Sequence, residues 1–338
     1  MKPWAGGNLF SACAHYGMEV GKYNFKKKSR IKEFLGEKFI AVNALTALVA
    51  ILLIFIFIFK ETIPILTSPE VKKEASISRM TFKQEFYPKR EAKWSWQPNS
   101  DVPKYSLWPL FLGTLKAAFI AMLFAVPLGV GAAIYSSEFA PKTLREIIKP
   151  VIELLAGIPS VVLGFFALIV LATWLQKSFG LTYRLNALNA GIALGITVVP
   201  LIFTVAEDAM TAVPRSLREA AIALGANPWQ VSFTMVLPAA LPGIAAGIVL
   251  GFGRAIGETM IVLMASGNAA IVSGSLTDSI RTFSATIAAE MAEVVFGSPH
   301  YNVLFFIGTL LFVFTFIINL GGDFVLLRMR ERIQGKTK

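Results

Sequence analysis

Cysteine is almost missing from this chain: Cys13 stands alone, and His15 and His300 are the only histidines. A disulfide framework needs paired cysteines, and a structural metal site needs clustered Cys or His, so both chemistries are excluded. Charge is scarce too, at 16 % of 338 residues, below the roughly 25 % of soluble domains. No Gly-x4-Gly-Lys-Ser/Thr loop is present to cradle the phosphates of a nucleotide. The nearest approach, Gly335-Lys336-Thr337, has Arg330 where the first glycine belongs. The chain is therefore expected to hold no cofactor and to catalyse no ATP hydrolysis of its own.

What it has in abundance is apolar side chain. Hydrophobic residues make up 55 % and the mean hydropathy is +0.63, the composition of a membrane protein. A bilayer core of about 30 Å takes roughly 20 apolar residues in a helix, because each backbone polar group must be satisfied within the segment. Stretches 39–59, 110–135, 151–175, 188–210, 241–267 and 303–327 meet that requirement. The expectation is an all-α polytopic protein with six transmembrane helices. The first stretch is too long and too far from the N-terminus for a cleaved signal peptide, so it is expected to stay in the mature chain.

Orientation follows from the placement of the cations. Lys22, Lys26, Lys27, Lys28, Arg30, Lys32 and Lys38 precede the first span, and Arg328, Arg330, Arg332, Lys336 and Lys338 follow the last. Positive residues stay inside, so both termini are expected to be cytoplasmic. Lys142, Arg145 and Lys149 in the second inner segment, and Arg215 and Arg218 in the third, agree. The basic excess and the net charge of +11 then reflect orientation and contact with membrane lipid; no nucleic-acid motif accompanies them. Residues 1–38 read as a basic cytoplasmic arm, 39–327 as a six-helix transmembrane bundle with an external loop at 60–109 and a cytoplasmic loop at 211–240, and 328–338 as a basic tail.

The segment 211–240 is too polar for the bilayer, yet shows helical periodicity on both sides of Gly225-Ala226-Asn227-Pro228, which reads as two short helices and a turn. Pro214 opens the first helix, where a missing donor costs nothing, and Gly225 ends it. Ala220, Ala221 and Ala223 leave a thin helix able to enter a groove on a partner, with Glu219 at its edge. An amphipathic helix resting on headgroups is the alternative. The spacing resembles the cytoplasmic loop of ABC importer permeases: Glu219-Ala220-Ala221, then Gly225, then Leu237-Pro238, with Met235 where isoleucine is usual. That resemblance implies the type I ABC importer permease fold, and a partner ATPase that uses ATP and magnesium.

Two charges lie inside the fifth stretch, in Gly253-Arg254-Ala255-Ile256-Gly257-Glu258-Thr259. On a continuous helix Arg254 and Glu258 share one face, and a central arginine costs at least ~2.5 kcal/mol on insertion scales. Either they lock helices together as an ion pair, or Arg254 offers planar donors to an oxyanion while Glu258 compensates and selects. Phosphate keeps an O–H at neutral pH that a carboxylate can accept, and sulfate has none. Lys116 in the second span either snorkels to the interface or reaches the same path.

Arg254 to Met260 resembles the fifth-helix signature of phosphate-specific permeases of the PstC type. Glu153-Leu154-Leu155-Ala156-Gly157-Ile158-Pro159-Ser160-Val161-Val162 resembles that family's third helix, and His300-Tyr301, Leu304-Phe305 and Asn319 its last. The resemblance implies a PstA-like sister permease, two PstB-like ATPases and a PstS-like extracytoplasmic phosphate-binding protein in a prokaryotic plasma membrane. It also implies that Arg254, Glu258 and Thr259 line the path; separately, Pro127 and Pro200, both inside spans, offer points of local bending during alternating access. Molybdate, tungstate or sulfate is the alternative cargo, and a secondary anion transporter the alternative class. The arm 1–38 and the loop 60–109 match no feature of the family.

Overall fold

The computed structural model describes residues 30–83 and 94–333. Most of the expected arm 1–38, the end of the tail 328–338 and the Gly335-Lys336-Thr337 tripeptide lie outside them. Two units divide the chain, residues 1–56 and 57–338. The described part of the first is helix α1 (Arg30–Thr62) as far as Ile56, with side chains 34–54 exposed along an almost entirely apolar helix. In the second unit, α1 ends against the start of the last span. Thr62 Oγ1 lies 2.9 Å from Thr309 Oγ1, and Phe57 packs edge-on to Phe305.

Among the described residues six helices are long and apolar enough to cross a membrane: Phe34–Thr67, Trp108–Phe139, Ser160–Phe179, Ala187–Thr211, Pro228–Gly257 and Pro299–Met329. They are called spans 1 to 6. Span 2 consists of α2 (Trp108–Ile134) and a π turn at Tyr135–Phe139. Span 3 starts at Ser160 rather than at the expected residue 151. Residues 151–156 instead complete a separate amphipathic helix, α3 (Lys142–Ala156). The chain turns at 157–159 because a proline disfavours helical backbone in the residue before it; Pro159 does this to Ile158. α4 (Ser160–Phe166), a π turn and α5 (Ala172–Phe179) then make up span 3.

Span 4 is α6 (Ala187–Thr211), begun by Asn186, whose Oδ1 accepts from Asn189 N at 2.9 Å. It is the centre of the unit: 61 % of its apolar window is buried, against 44 % for span 2 and 33 % for span 5. Small residues allow that density. A Cβ on Gly191 would stand 2.5 Å from Ile120 Cβ of span 2, and one on Gly243 would stand 2.3 Å from Ala209 Cβ, so span 5 too meets span 4 nearly backbone to backbone. Within a bilayer, where lipid is as apolar as leucine, such van der Waals contact is a main source of helix association.

Beyond Thr211 comes α7 (Arg215–Ala223). The chain then re-enters at Pro228–Gln230, passes a π turn at Val231–Val236 and continues as α8 (Leu237–Gly257). The second of the two expected short helices is thus the first turns of span 5. Another difference is larger. The expected stretch 241–267 is not one helix: α8 stops at Gly257, and α9 (Met260–Ala265) starts after two intervening residues.

The expected external loop 60–109 is largely built structure. Short helices Pro64–Thr67, Pro69–Glu74 and Ile77–Thr81 precede a hairpin of β1 (Trp96–Gln97) and β2 (Lys104–Tyr105). Ile65, Val71, Met80, Trp96 and Tyr105 bury against Leu110, Phe283, Val303 and Leu304. Residues 266–298, with α10 (Phe283–Glu290), close the same end of the bundle, and α11 (Pro299–Ile333) carries span 6.

Candidate functional site

The break in span 5 is the first feature. Glu258 has extended backbone (φ −68°, ψ 133°) and so leaves the helix. A broken helix inside a bilayer strands backbone groups unless protein supplies partners, and here it does. Ser284 Oγ donates to Glu258 O at 2.8 Å, Leu263 N donates to Thr259 O at 2.9 Å, and Asn189 Nδ2 donates to Ala265 O at 2.9 Å. Ser284 can reach because residues 283–286 fold into the bundle and are buried. Thr114 Oγ1 of span 2 accepts from Phe283 N, and the Gly113 beside it leaves room for Arg281 O, which a Cβ would meet at 2.2 Å.

This geometry separates the two expected path charges. Arg254 is exposed in the last turn of α8, and it makes no ion pair or side-chain hydrogen bond with any described residue. Glu258 lies past the helix end, half-buried, its Oε1 3.3 Å from Thr259 N. Thr259 Oγ1 donates to Gly257 O at 3.3 Å. The shared helix face is therefore corrected, and with it the locking ion pair. Arg254 is left with its guanidinium available beside a kink. Asn319 of span 6 lies at the same level, its Oδ1 3.3 Å from where a Cβ on Gly253 would be. Lys116 belongs elsewhere: Nζ donates to Ser273 O and Ser275 O at 2.6 and 2.9 Å, holding the 266–282 loop.

The second feature is the segment around α7, at the opposite end from the hairpin. Gly225, at φ +87°, turns the chain as only glycine does cheaply. Gly225 N then reaches Ile222 O and Ala226 N reaches Ala221 O, a Schellman closure that satisfies the last carbonyls of α7. Asn227 immediately starts span 5 with a reciprocal capping box to Gln230, in which each side chain takes the other's backbone donor. One helix is stopped and another begun within four residues, so the corner is stiff. Ala221 is buried with Val213, Val231 and Val236, which fixes α7 to the base of span 5. Glu219 and Ala220 stay exposed, and Leu224 projects at 90 % exposure. Leu237 and Pro238 occupy the first turn of α8.

Charge clamps around α7 went unseen in the sequence. Arg218 donates to Glu138 Oε1 of span 2 at 2.9 Å, and to Met210 O and Val213 O at 2.9 and 2.8 Å. Glu207 is buried near the end of span 4, where it takes Arg145 and Lys149 from α3; Lys149 also reaches Asp208 at 2.8 Å. Hydrogen bonds to Asp208 and Glu207 push the Lys149 ammonium above its ordinary value. The cations had been legible only as orientation markers, because partners 58 to 80 residues away leave no local pattern.

A third cluster ties the hairpin down. Glu290 accepts from Trp96 Nε1 at 3.0 Å and from Arg281 Nη2 at 2.6 Å, and lies 3.2 Å from His300 Nε2. Burial by itself raises the Glu290 carboxyl, but hydrogen bonds with His300 and Trp96 and the charges of Arg281 and His300 outweigh it and hold the group below its ordinary value.

Six apolar helices, one of them ending at a break beside an unpaired arginine and preceded by a stiff polar corner, make this a multi-pass membrane protein. The chain belongs to the family of binding-protein-dependent transport system inner membrane components, whose pattern matches residues 125–331. Among curated relatives, Probable ABC transporter permease protein YqgH of Bacillus subtilis (strain 168) is 38 % identical over 225 residues, 66 % of this chain and 72 % of that protein. Phosphate transport system permease protein PstC of Mesorhizobium japonicum is 37 % identical over 257 residues, 70 % of this chain and 78 % of that one. Among solved structures, a bacterial ABC transporter involved in the import of the acidic polysaccharide alginate superposes with a TM-score of 0.57 at 15 % identity, over 88 % of this chain and 99 % of that one; it bears on the fold alone. The type I importer permease architecture expected from the sequence is thereby the observed one.

Proposed function

We propose that this chain is a transmembrane permease subunit of an ATP-driven importer for inorganic phosphate, oriented with the α7 end and both termini in the cytoplasm of a prokaryotic cell. Its partners are a PstA-like sister permease, a PstB-like ATPase dimer that uses ATP and magnesium, and a PstS-like phosphate-binding protein docking at the hairpin end. Glu219, Ala220, Ala221 and Gly225 on α7, with Leu237 and Pro238 at its base, form the contact with the ATPase. Arg254, Glu258 and Thr259 line the path. The observation that carries this reading is continuity: one helical run leads from Pro228, beside α7, to Gly257. Arg254 stands 26 residues along it, about 39 Å at 1.5 Å per residue. Movement of α7 by the ATPase is thus delivered along a stiff rod to the guanidinium that meets the anion, and the break at Glu258 lets that rod shift without dragging the closed end of the bundle. Access then alternates between the two faces.

Phosphate as cargo is supported by the similarity to PstC permeases and by the chemistry of a free guanidinium on one side of the break and a carboxylate at it, the latter able to accept the O–H of hydrogen phosphate and to repel sulfate. The test is ATP-dependent phosphate uptake by the complex in proteoliposomes. Arg254→Ala is expected to abolish it, and Glu258→Gln to lower phosphate uptake while admitting sulfate. Uptake that survives Arg254→Ala unchanged removes the path assignment.

A further inference from the structure

A second polar opening lies at the α7 end, remote from the break. It is a cavity of about 390 Å³ lined by Ser137, Arg145, Thr211, Arg215, Arg218 and Glu219. Arg145 and Arg218 each turn one edge to a carboxylate outside that lining, Glu207 and Glu138. Arg215 makes no hydrogen bond or ion pair with any described residue. Donors remain on the others too. Arg145 uses only Nε and Nη2, which leaves both Nη1 hydrogens, since a guanidinium carries five N–H in all. Thr211 Oγ1 accepts from Arg145, so its own hydrogen is free to be donated. α7 begins here after Pro214 with no side-chain cap, which adds the positive end of its dipole. Glu219 is the single acid among the lining residues against three arginines.

We infer that this cavity binds a phosphate oxyanion, supplied either as free orthophosphate or as the headgroup of an anionic phospholipid. Planar guanidinium forks match tetrahedral oxyanions, and Arg215 with the free edge of Arg145 provides donors from two separate helices. The occupant bridges α7 to α3 and to the ends of spans 2 and 4. On the reading of α7 as the ATPase contact, occupancy restrains that helix, and free orthophosphate there acts as a brake by accumulated product. Binding itself does not depend on that reading or on the cargo carried past Arg254.

Two arms separate the sources. Orthophosphate titrated calorimetrically into the full-length chain in phosphatidylcholine nanodiscs reads the free ion, and native mass spectrometry of phosphatidylglycerol retained by the detergent-purified chain reads the headgroup. At least one arm is expected to lose about tenfold in affinity or in retained lipid with Arg215→Ala, and to keep most of its signal with Arg215→Lys. Arg215 is exposed, so the alanine chain folds, which circular dichroism checks. If neither arm responds to Arg215→Ala, the site is refuted, whatever uptake by Arg254→Ala says about the path. A signal lost with Arg254→Ala but kept with Arg215→Ala assigns the anion to the break instead and refutes the inference equally.

Discussion

Arg218→Ala unfastens α7, and the size of the effect follows from what the guanidinium holds. Three acceptors each lose a bond from Arg218: Glu138 Oε1 at 2.9 Å, Met210 O at 2.9 Å and Val213 O at 2.8 Å; Glu138 Oε1 keeps Ser137 Oγ at 2.7 Å and Met210 O keeps Val213 N at 3.2 Å. Glu138 is left 8 % exposed with no cation, whereas Arg218 itself was 22 % exposed, so water reaches part of the vacated space. A hydrogen bond to a charged group contributes about 1.5–3 kcal/mol and a neutral one about 1 kcal/mol; discounting both carbonyl bonds for water access gives a loss on the order of 3 kcal/mol. That is roughly two powers of ten in the local opening equilibrium of α7, at 1.4 kcal/mol per factor of ten. Hydrogen–deuterium exchange of peptides covering 213–227 should therefore accelerate by about 100-fold. Peptides from 187–199 at the far end of span 4 should not change. Arg218→Lys keeps the charge but not the fork, and should recover about half of the effect on a logarithmic scale. In the assembled complex the alanine variant should hydrolyse ATP with little uptake, because α7 then moves without the bundle. Exchange that changes by less than about threefold, or that rises equally in 187–199, refutes the claim that this guanidinium is the local fastener.

Other perturbations test other parts of the structure. Gly225→Ala places a Cβ at φ +87° in open space, so only backbone strain opposes it; about 1 kcal/mol, or fivefold faster exchange at the corner, is expected. Gly243→Leu drives a side chain into Ala209 and parts spans 4 and 5, so the thermal midpoint in detergent should fall by more than a Gly131→Leu change, made where nothing lies within 4 Å. For pH, Glu290 is held below its ordinary value of 4.5. A depressed folded value means that the stabilisation is in place above the unfolded pKa and disappears as pH falls through the folded one. Exchange in 94–107 should accordingly quicken as pH falls below the ordinary carboxylate range, and Glu290→Gln should remove that dependence by loosening the hairpin at every pH. Loosening that sets in on the alkaline side would show that another group controls the hairpin.

The spans, the polar corner and the presence of two charges in the fifth apolar stretch are written locally. Hydropathy decides a span because a bilayer forces each helix to satisfy its own backbone, and the 219–238 spacing and the Gly225 and Asn227 caps act within a few residues. Even the amphipathic α3, misread as the start of span 3, carried its signal in Gly157 and Pro159. The geometry around the break is another matter. Arg254 and Glu258 sit four residues apart in sequence, yet whether they share a face depends on Ser284 and the buried segment 283–286, which take up the backbone groups that a break exposes. Arg218, Arg145 and Lys149 likewise read as inside charges until folding brings Glu138, Glu207 and Asp208 against them. Local sequence determined which segments are helical and which of them are long and apolar enough to cross a membrane. Only tertiary structure decided where a helix could break and which charges were free, because both depend on partners supplied by distant segments.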